Sequence, residues 1–320
     1  MVNRRNLLLG LLYGLVAGAL WGGVFLAPKL LDAFTPLQMT AGRYIAYGLA
    51  AAVLLAPSWK SVMARMEGRD WRDLAGLSLL GNLVYYVGLS VAVQTAGVAL
   101  TSLIIGLLPV TITLAGAKKG QGAPLRTLAA PLAVIVAGGV CINVAVFTTP
   151  SDVPVGKLVL GVAGATLALA VWTAYAVWNA RRLAATPKFN SHEWSLLTGL
   201  ATGLLSLVLV VPAFLLGGKG HPPTAWTWFW TVSFAVAIGA SVIGNGLWNA
   251  ASRVLPLSLS GQLIVFETLF ALLYGFLHEG RWPHGLEWAA IVLMLTGVIW
   301  SVRLHRPGAL AAVEAEASHP

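Results

Sequence analysis

Charge is what this sequence has least of. Its 320 residues hold 20 lysines and arginines and 11 aspartates and glutamates, 10% in all, while 58% are hydrophobic. Soluble domains average about 25% charged, so this chain cannot coat a water-facing surface, and mean hydropathy of +0.81 agrees. A single cysteine, Cys141, excludes an intrachain disulfide and any cysteine-rich metal framework. The six histidines, His192, His221, His278, His284, His305 and His319, fall in loops, at the ends of apolar runs or in the tail. That leaves no zinc-protease set and no Ser/His/Asp arrangement at membrane depth. Gly217-Gly218-Lys219 lacks the spacing and the Ser/Thr of a phosphate-binding loop, so ATP is not expected to drive the protein directly. No paired carboxylates stand ready to hold magnesium for prenyl or glycosyl transfer. No cofactor and no metal are expected, and an enzyme is disfavoured.

What is present is apolar residues in blocks of roughly 20, the length a helix needs to cross about 30 Å of hydrocarbon. Ten spans are expected, at 7–27, 37–57, 74–94, 97–117, 127–147, 157–179, 195–216, 228–250, 256–277 and 286–304. Residues 306–320, with Pro307 and an alanine-glutamate run, read as a short cytoplasmic tail. Arg4 and Arg5 followed by an apolar run and Ala17-Gly18-Ala19 mimic a cleavable signal. The run continues through Leu26, so a retained helix is expected.

With ten spans and a cytoplasmic start, fifteen of the twenty lysines and arginines fall on inner segments and four on outer ones, with Arg43 inside a span. This bias puts both termini in the cytoplasm and a multi-pass chain in the cytoplasmic (inner) membrane. It also accounts for the pI near 10.0 without a nucleic-acid partner. Trp59, Trp71, Trp226, Trp228, Trp282 and Trp288 sit at expected interfaces, where tryptophan anchors.

Ten spans divide into two fives. Ala19-Leu20-Trp21 resembles Ala170-Val171-Trp172, and in spans 4 and 9 Ser102 aligns with Ser260 and Pro109 with Glu267, 158 positions later. Gly81-Asn82-x-x-Tyr85 resembles Gly244-Asn245-x-x-Trp248 at 163. An odd number of spans per copy makes the second copy insert upside down, the construction of many secondary transporters. The expected layout is an all-α polytopic protein: a first repeat at 1–150 and an inverted second repeat at 151–305.

Polar and aromatic residues recur at helical spacing in these spans: Asn82, Tyr85 and Tyr86; Trp172, Tyr175 and Asn179; Asn245, Trp248, Asn249 and Ser252. Together with Trp21, Ser102, Ser260 and Glu267 they are candidates to line a solute site. Glu267 lies eleven residues into its span, near mid-depth, where an unpaired charge is costly and normally faces a cavity. It is read as recognising an ammonium or carrying a coupling proton, against a helix-bridging carboxyl. Arg43, six or seven residues from its span's outer end, is read as structural, its side chain snorkelling outward. Pro109 withholds a donor from Ile105 and is a candidate hinge. Gly14 with Gly18, and Gly199 with Gly203, are small-xxx-small pairs that let helices approach closely.

The five-plus-five layout, the glycine-rich spans, mid-span Pro109 and Glu279-Gly280 after span 9 resemble the EamA-type drug/metabolite transporter superfamily. Typical members carry proline where this chain has Glu267, and many copies end in Gly-Glu where the first copy here has Lys118-Lys119-Gly120-Gln121. The stretch Gln262 to Phe276 looks like the YddG branch, whose members export aromatic and other amino acids. The resemblance implies export of amino acids or similar amphipathic metabolites by alternating access, with protons as a candidate coupling ion. Drug, nucleotide-sugar and other metabolite transport, a channel and a membrane-embedded enzyme are the alternatives.

Overall fold

The structure, a computed structural model, describes residues 4–117, 125–147, 154–185, 188–216 and 220–305. The expectations for Lys118 to Gln121, for Gly217 to Lys219 and for the tail 306–320 lie outside the described residues. The described residues are mostly helical, with no strand among them. The helices are α1 (Arg4–Leu30), α2 (Pro36–Ala64), α3 (Gly68–Gly97), α4 (Leu108–Ala117, after a short run at 98–105), α5 (Leu125–Phe147), α6 (Val155–Ala185), α7 (Ser191–Ser206, with further turns to 216), α8 (Pro223–Val254), α9 (Leu257–His278) and α10 (Gly285–Leu304). Seven of them, α1, α2, α3, α6, α8, α9 and α10, are long and apolar enough to cross a bilayer. The other three expected spans fall on shorter or broken helices, α4, α5 and α7. Ala17-Gly18-Ala19 lies within the continuous helix of α1.

The sequence explains where several helices start. Thr35 accepts a hydrogen bond from the Gln38 amide and Gln38 Oε1 accepts one from the Thr35 amide, with Pro36 at the first helical position. That reciprocal cap satisfies two backbone donors that no helical carbonyl reaches. Asn190 and Glu193 build the same cap at α7.

Polarity is inside out relative to a water-soluble protein. Val53, Val155, Val208 and Leu277 are each more than 70% exposed, while Thr40, Ser195, Thr202 and Gln262 are fully buried. Such a surface is stable only against hydrocarbon, where every polar group must find its partner within the protein. The chain is an integral membrane protein.

The packing follows a recurrent plan. Helix α2 lies along α7, α5 along α10 and α4 against α9, while α3 with α6 has a counterpart in α8 with α1. Raising each helix number by five, and counting round, returns the same pairs. Single residues repeat it. Gly138 meets Ala290 and Met294, and Gly297, 159 positions on, meets Pro131 and Ile135, 159 positions before those two. At the centre Gly48 and Gly203 touch backbone to backbone, each leaving no room for a Cβ on the other. The expected close approaches of Gly14, Gly18 and Gly199 are present, against Leu263, Phe266 and Tyr47.

Irregularities also occur in matched places. Helices α3 and α8 each carry a π-helical stretch, at Leu79–Val84 and Ala237–Gly244. Gly97, at φ 83°, ends α3 in a conformation that glycine adopts readily. Leu255, 158 positions on, ends α8 in an extended conformation ahead of Pro256. Pro109 is the second residue of α4, just past a break at Gly106 and Leu107, as its missing donor predicts. The counterpart break in α9 falls at Ile264, and Glu267 stands in the first turn beyond it.

Candidate functional site

Where the two sets of helices meet, side chains from α1, α2, α3, α6, α8 and α9 enclose a cavity of about 30 Å³. Trp21, Val24, Arg43, Tyr44, Gly81, Asn82, Tyr85, Trp172, Tyr175, Asn245 and Glu267 line it. Seven of the twelve expected binding residues are here: Trp21, Asn82, Tyr85, Trp172, Tyr175, Asn245 and Glu267. The position is near mid-length of the bundle, since Trp172 is the eighteenth residue of the 31-residue α6. A cavity this size holds about one water, so an amino-acid-sized solute enters only if the walls part.

The rings form one cluster. Trp172 lies edge-on to Trp21 at 5.9 Å between centroids, 5.6 Å from Tyr175 and 6.3 Å from Tyr85. Such offset and edge contacts suit the ring quadrupoles. The Trp21 indole donates to the Ala240 carbonyl at 3.0 Å, in the π-helical stretch of α8. That carbonyl also accepts the Asn245 backbone amide at the end of the π stretch, so the indole is its second donor. Asn82, in the π stretch of α3, donates to Thr202 at 2.9 Å and is held by α7. Glu267, 6% exposed, sits at the positive N-terminal end of its helical segment, a favourable place for a carboxyl.

The remaining five expected residues are not among the lining. Tyr86 packs edge-on against Tyr44 at 5.9 Å and stacks under the Arg43 guanidinium at 4.4 Å. Trp248 stands behind Trp21 and Trp172, at 5.3 and 5.8 Å. Asn249 accepts from Asn179, which in turn accepts from the Trp194 indole, so these two asparagines bridge helices. Ser260 bonds back to the Leu257 carbonyl, and Ser102 lies on the short run before α4.

Arg43 is the main correction. It does not snorkel outward; it is 7% exposed, lines the cavity, and donates from Nε and Nη2 to Ser241 Oγ at 3.4 and 3.2 Å. Distance along the sequence gave its depth but not the direction in which α2 turns it. Tyr44, also on the cavity wall, escaped notice because one tyrosine in an apolar run is usually core.

Both ends of the bundle are closed over this cavity, by different chemistry. At the end bearing most of the arginines, fully buried Asp70 is bonded to Arg182 and to Lys188 Nζ at 2.7 Å, and Asp73 lies 2.6 Å from Arg182 Nε. Arg65 grips Glu193 through both guanidinium nitrogens at 2.6 and 3.2 Å, and Arg253 donates to the Phe189 carbonyl at 2.7 Å. The Arg65 hydrogen bond holds the Glu193 carboxyl, just ahead of the apolar stretch 195–216, below the usual carboxylate range. At the opposite end Phe34 packs against His221, Trp226 and Phe229 at 4.2 to 5.1 Å, and the Trp228 indole donates to the Leu30 carbonyl. The basic end joins the α2–α3 connection to the α6–α7 connection; the aromatic end joins the α1–α2 connection to the α7–α8 connection.

An all-helical membrane protein with a small polar-aromatic chamber sealed at both ends has the build of a solute carrier. The chain belongs to the EamA-like transporter family: residues 8–150 match the family's sequence model, and a relative matches nearly the full length. The chain is 32% identical over 310 residues to inner membrane protein YtfF of Escherichia coli (strain K12), across 92% of this chain and 95% of that protein. A solved structure described as the crystal structure of a protein matches with a TM-score of 0.72, at 23% identity over 93% of this chain and 97% of that one. That likeness carries the fold. The protein is therefore a membrane transporter of the drug/metabolite transporter superfamily.

Proposed function

We propose that the protein is a secondary transporter that exports amino acids, aromatic and other neutral ones, across the cytoplasmic membrane by alternating access. One observation carries this reading: Glu267 and five aromatic rings face the same chamber between the two sets of helices. Rings suit an apolar side chain, a carboxyl suits an ammonium, and mostly apolar walls with few polar groups are usual for small-molecule sites. The two sets are inverted five-helix repeats, 1–150 and 151–305, ten spans in all, with the basic end and both termini cytoplasmic. The matched pairings of Gly138 with Gly297 and of the two π stretches support this, as does a family match ending at residue 150. In such a pair, opening the ionic end or the aromatic end exposes the same chamber to one side at a time.

Counterflow of labelled phenylalanine or threonine into proteoliposomes tests the substrate: accumulation is expected, and no counterflow with any amino acid sinks the claim. A coupling role for the carboxyl predicts that Glu267→Gln removes the pH dependence of uptake while exchange continues, at a raised half-saturating solute concentration because the ammonium loses its partner. Unchanged pH dependence in that variant would make the carboxyl structural.

A further inference from the structure

We propose that Arg43 is the carboxylate-binding residue of the chamber, so that the solute is a zwitterion gripped by Arg43 through its carboxylate and by Glu267 through its ammonium. The inference rests on the amino-acid reading above and narrows it. The guanidinium has five N–H donors. Two of its nitrogens share the single hydroxyl oxygen of Ser241, and the buried Nη1 has no hydrogen-bond partner among the described residues. The Tyr86 and Tyr44 ring centres lie 4.4 and 5.0 Å from the guanidinium carbon and stabilise a cation. The Tyr86 hydroxyl is a further neutral acceptor for Arg43, but neither tyrosine supplies a counter-charge. A cation at this depth costs at least about 2.5–3.5 kcal/mol on insertion scales, and buried cations are normally paired.

The missing partner is an anion, and the chamber is where one would arrive. A guanidinium presents a planar fork matched to a carboxylate, a geometry that ammonium lacks. Glu267 lines the same chamber, yet no carboxylate oxygen pairs with Arg43 within 4.0 Å among the described residues. A guanidinium and a carboxyl group therefore face one small space without meeting. A solute with carboxylate and ammonium on one carbon satisfies both at once, and a simple amine or a simple acid satisfies only one. Tyr86 and Ser241 then act as positioning residues, holding the guanidinium flat from below and at its edge.

The test uses the full chain in proteoliposomes and four probes that share one ring: L-phenylalanine, its methyl ester, phenethylamine and 3-phenylpropionate. Binding is measured by displacement of labelled phenylalanine. The wild type should favour phenylalanine over the ester by roughly 10- to 100-fold, the value of one charge-assisted hydrogen-bond set. Arg43→Gln should lower phenylalanine to the level of the ester and leave the ester unchanged, while Arg43→Lys should keep part of the discrimination. Glu267→Gln should weaken phenylalanine and phenethylamine and spare 3-phenylpropionate. Should Arg43→Gln or Arg43→Lys weaken phenylalanine and its ester by one common factor, or leave the preference intact, Arg43 does not read the carboxylate. A wild type that binds none of the four probes would instead overturn the amino-acid reading itself.

Discussion

The contact between Gly48 and Gly203 yields the sharpest stability prediction. A Cβ built on Gly48 would stand 2.6 Å from the Gly203 Cα, and one on Gly203 would stand 2.5 Å from the Gly48 Cα. The clashing atoms are backbone, so no rotamer change relieves them. Reaching the 3.4 Å of ordinary contact requires α2 and α7 to part by about 0.8 Å, and overpacking of that kind costs about 1–3 kcal/mol. Separation also strains the Tyr47 hydroxyl bond to the Ser195 carbonyl, 2.6 Å long and one residue from Gly48. Gly48→Ala is therefore expected to lower the unfolding midpoint of the purified protein, in heat or in an SDS titration. Gly246, in α8, has nothing within 4 Å of its virtual Cβ. Gly246→Ala should be neutral or stabilising by up to about 1 kcal/mol, because alanine gives up less backbone freedom in a helix. A Gly48→Ala midpoint equal to wild type, or one matching Gly246→Ala, would refute the close-packing argument.

Three further outcomes are expected. Asp70→Asn leaves Arg182 and Lys188 without their buried anion; removing one member of such a pair costs about 3–5 kcal/mol, read as lower yield and a lower unfolding midpoint than Asp73→Asn, whose carboxylate is partly exposed. The Arg65–Glu193 pair contributes stability above the ordinary carboxylate range near 4.3, because folding lowers the Glu193 value. That contribution disappears as pH falls through the lower folded value, so the wild type should lose more stability between about pH 5 and 3 than Glu193→Gln, checked by paired melts. Thr202→Val removes the acceptor of the Asn82 amide and should weaken phenylalanine binding through misplacement of Asn82, with Thr202→Ser restoring it; equal binding by all three proteins would separate Asn82 from the site.

Seven of the ten expected spans fall on helices long and apolar enough to cross a bilayer, because hydrocarbon demands long apolar runs, and the other three fall on shorter or broken helices. The chamber was legible along α6. Trp172 and Tyr175, three apart on unbroken α6, both line it, and Asn179, four further on, passes beyond its floor. Tyr86, Trp248 and Asn249 follow the lining residues Tyr85 and Asn245 on regular helix yet fall outside the lining, because Arg43, the Trp21–Trp172 pair and Asn179 engage them instead. Arg43 was misread for a related reason: hydropathy reports how deep a residue lies, while only packing reports which way it points.

The two closures differ in what dissolves them. Added electrolyte shortens the reach of charges and loosens contacts such as Arg65 with Glu193, yet leaves the stacked rings around Phe34 almost untouched. Cooling weakens apolar association instead, and with it the rings around Phe34 rather than the arginines. Under the alternating access proposed above, ionic strength and temperature become independent handles on which face of the membrane the chamber prefers, without a single residue being changed.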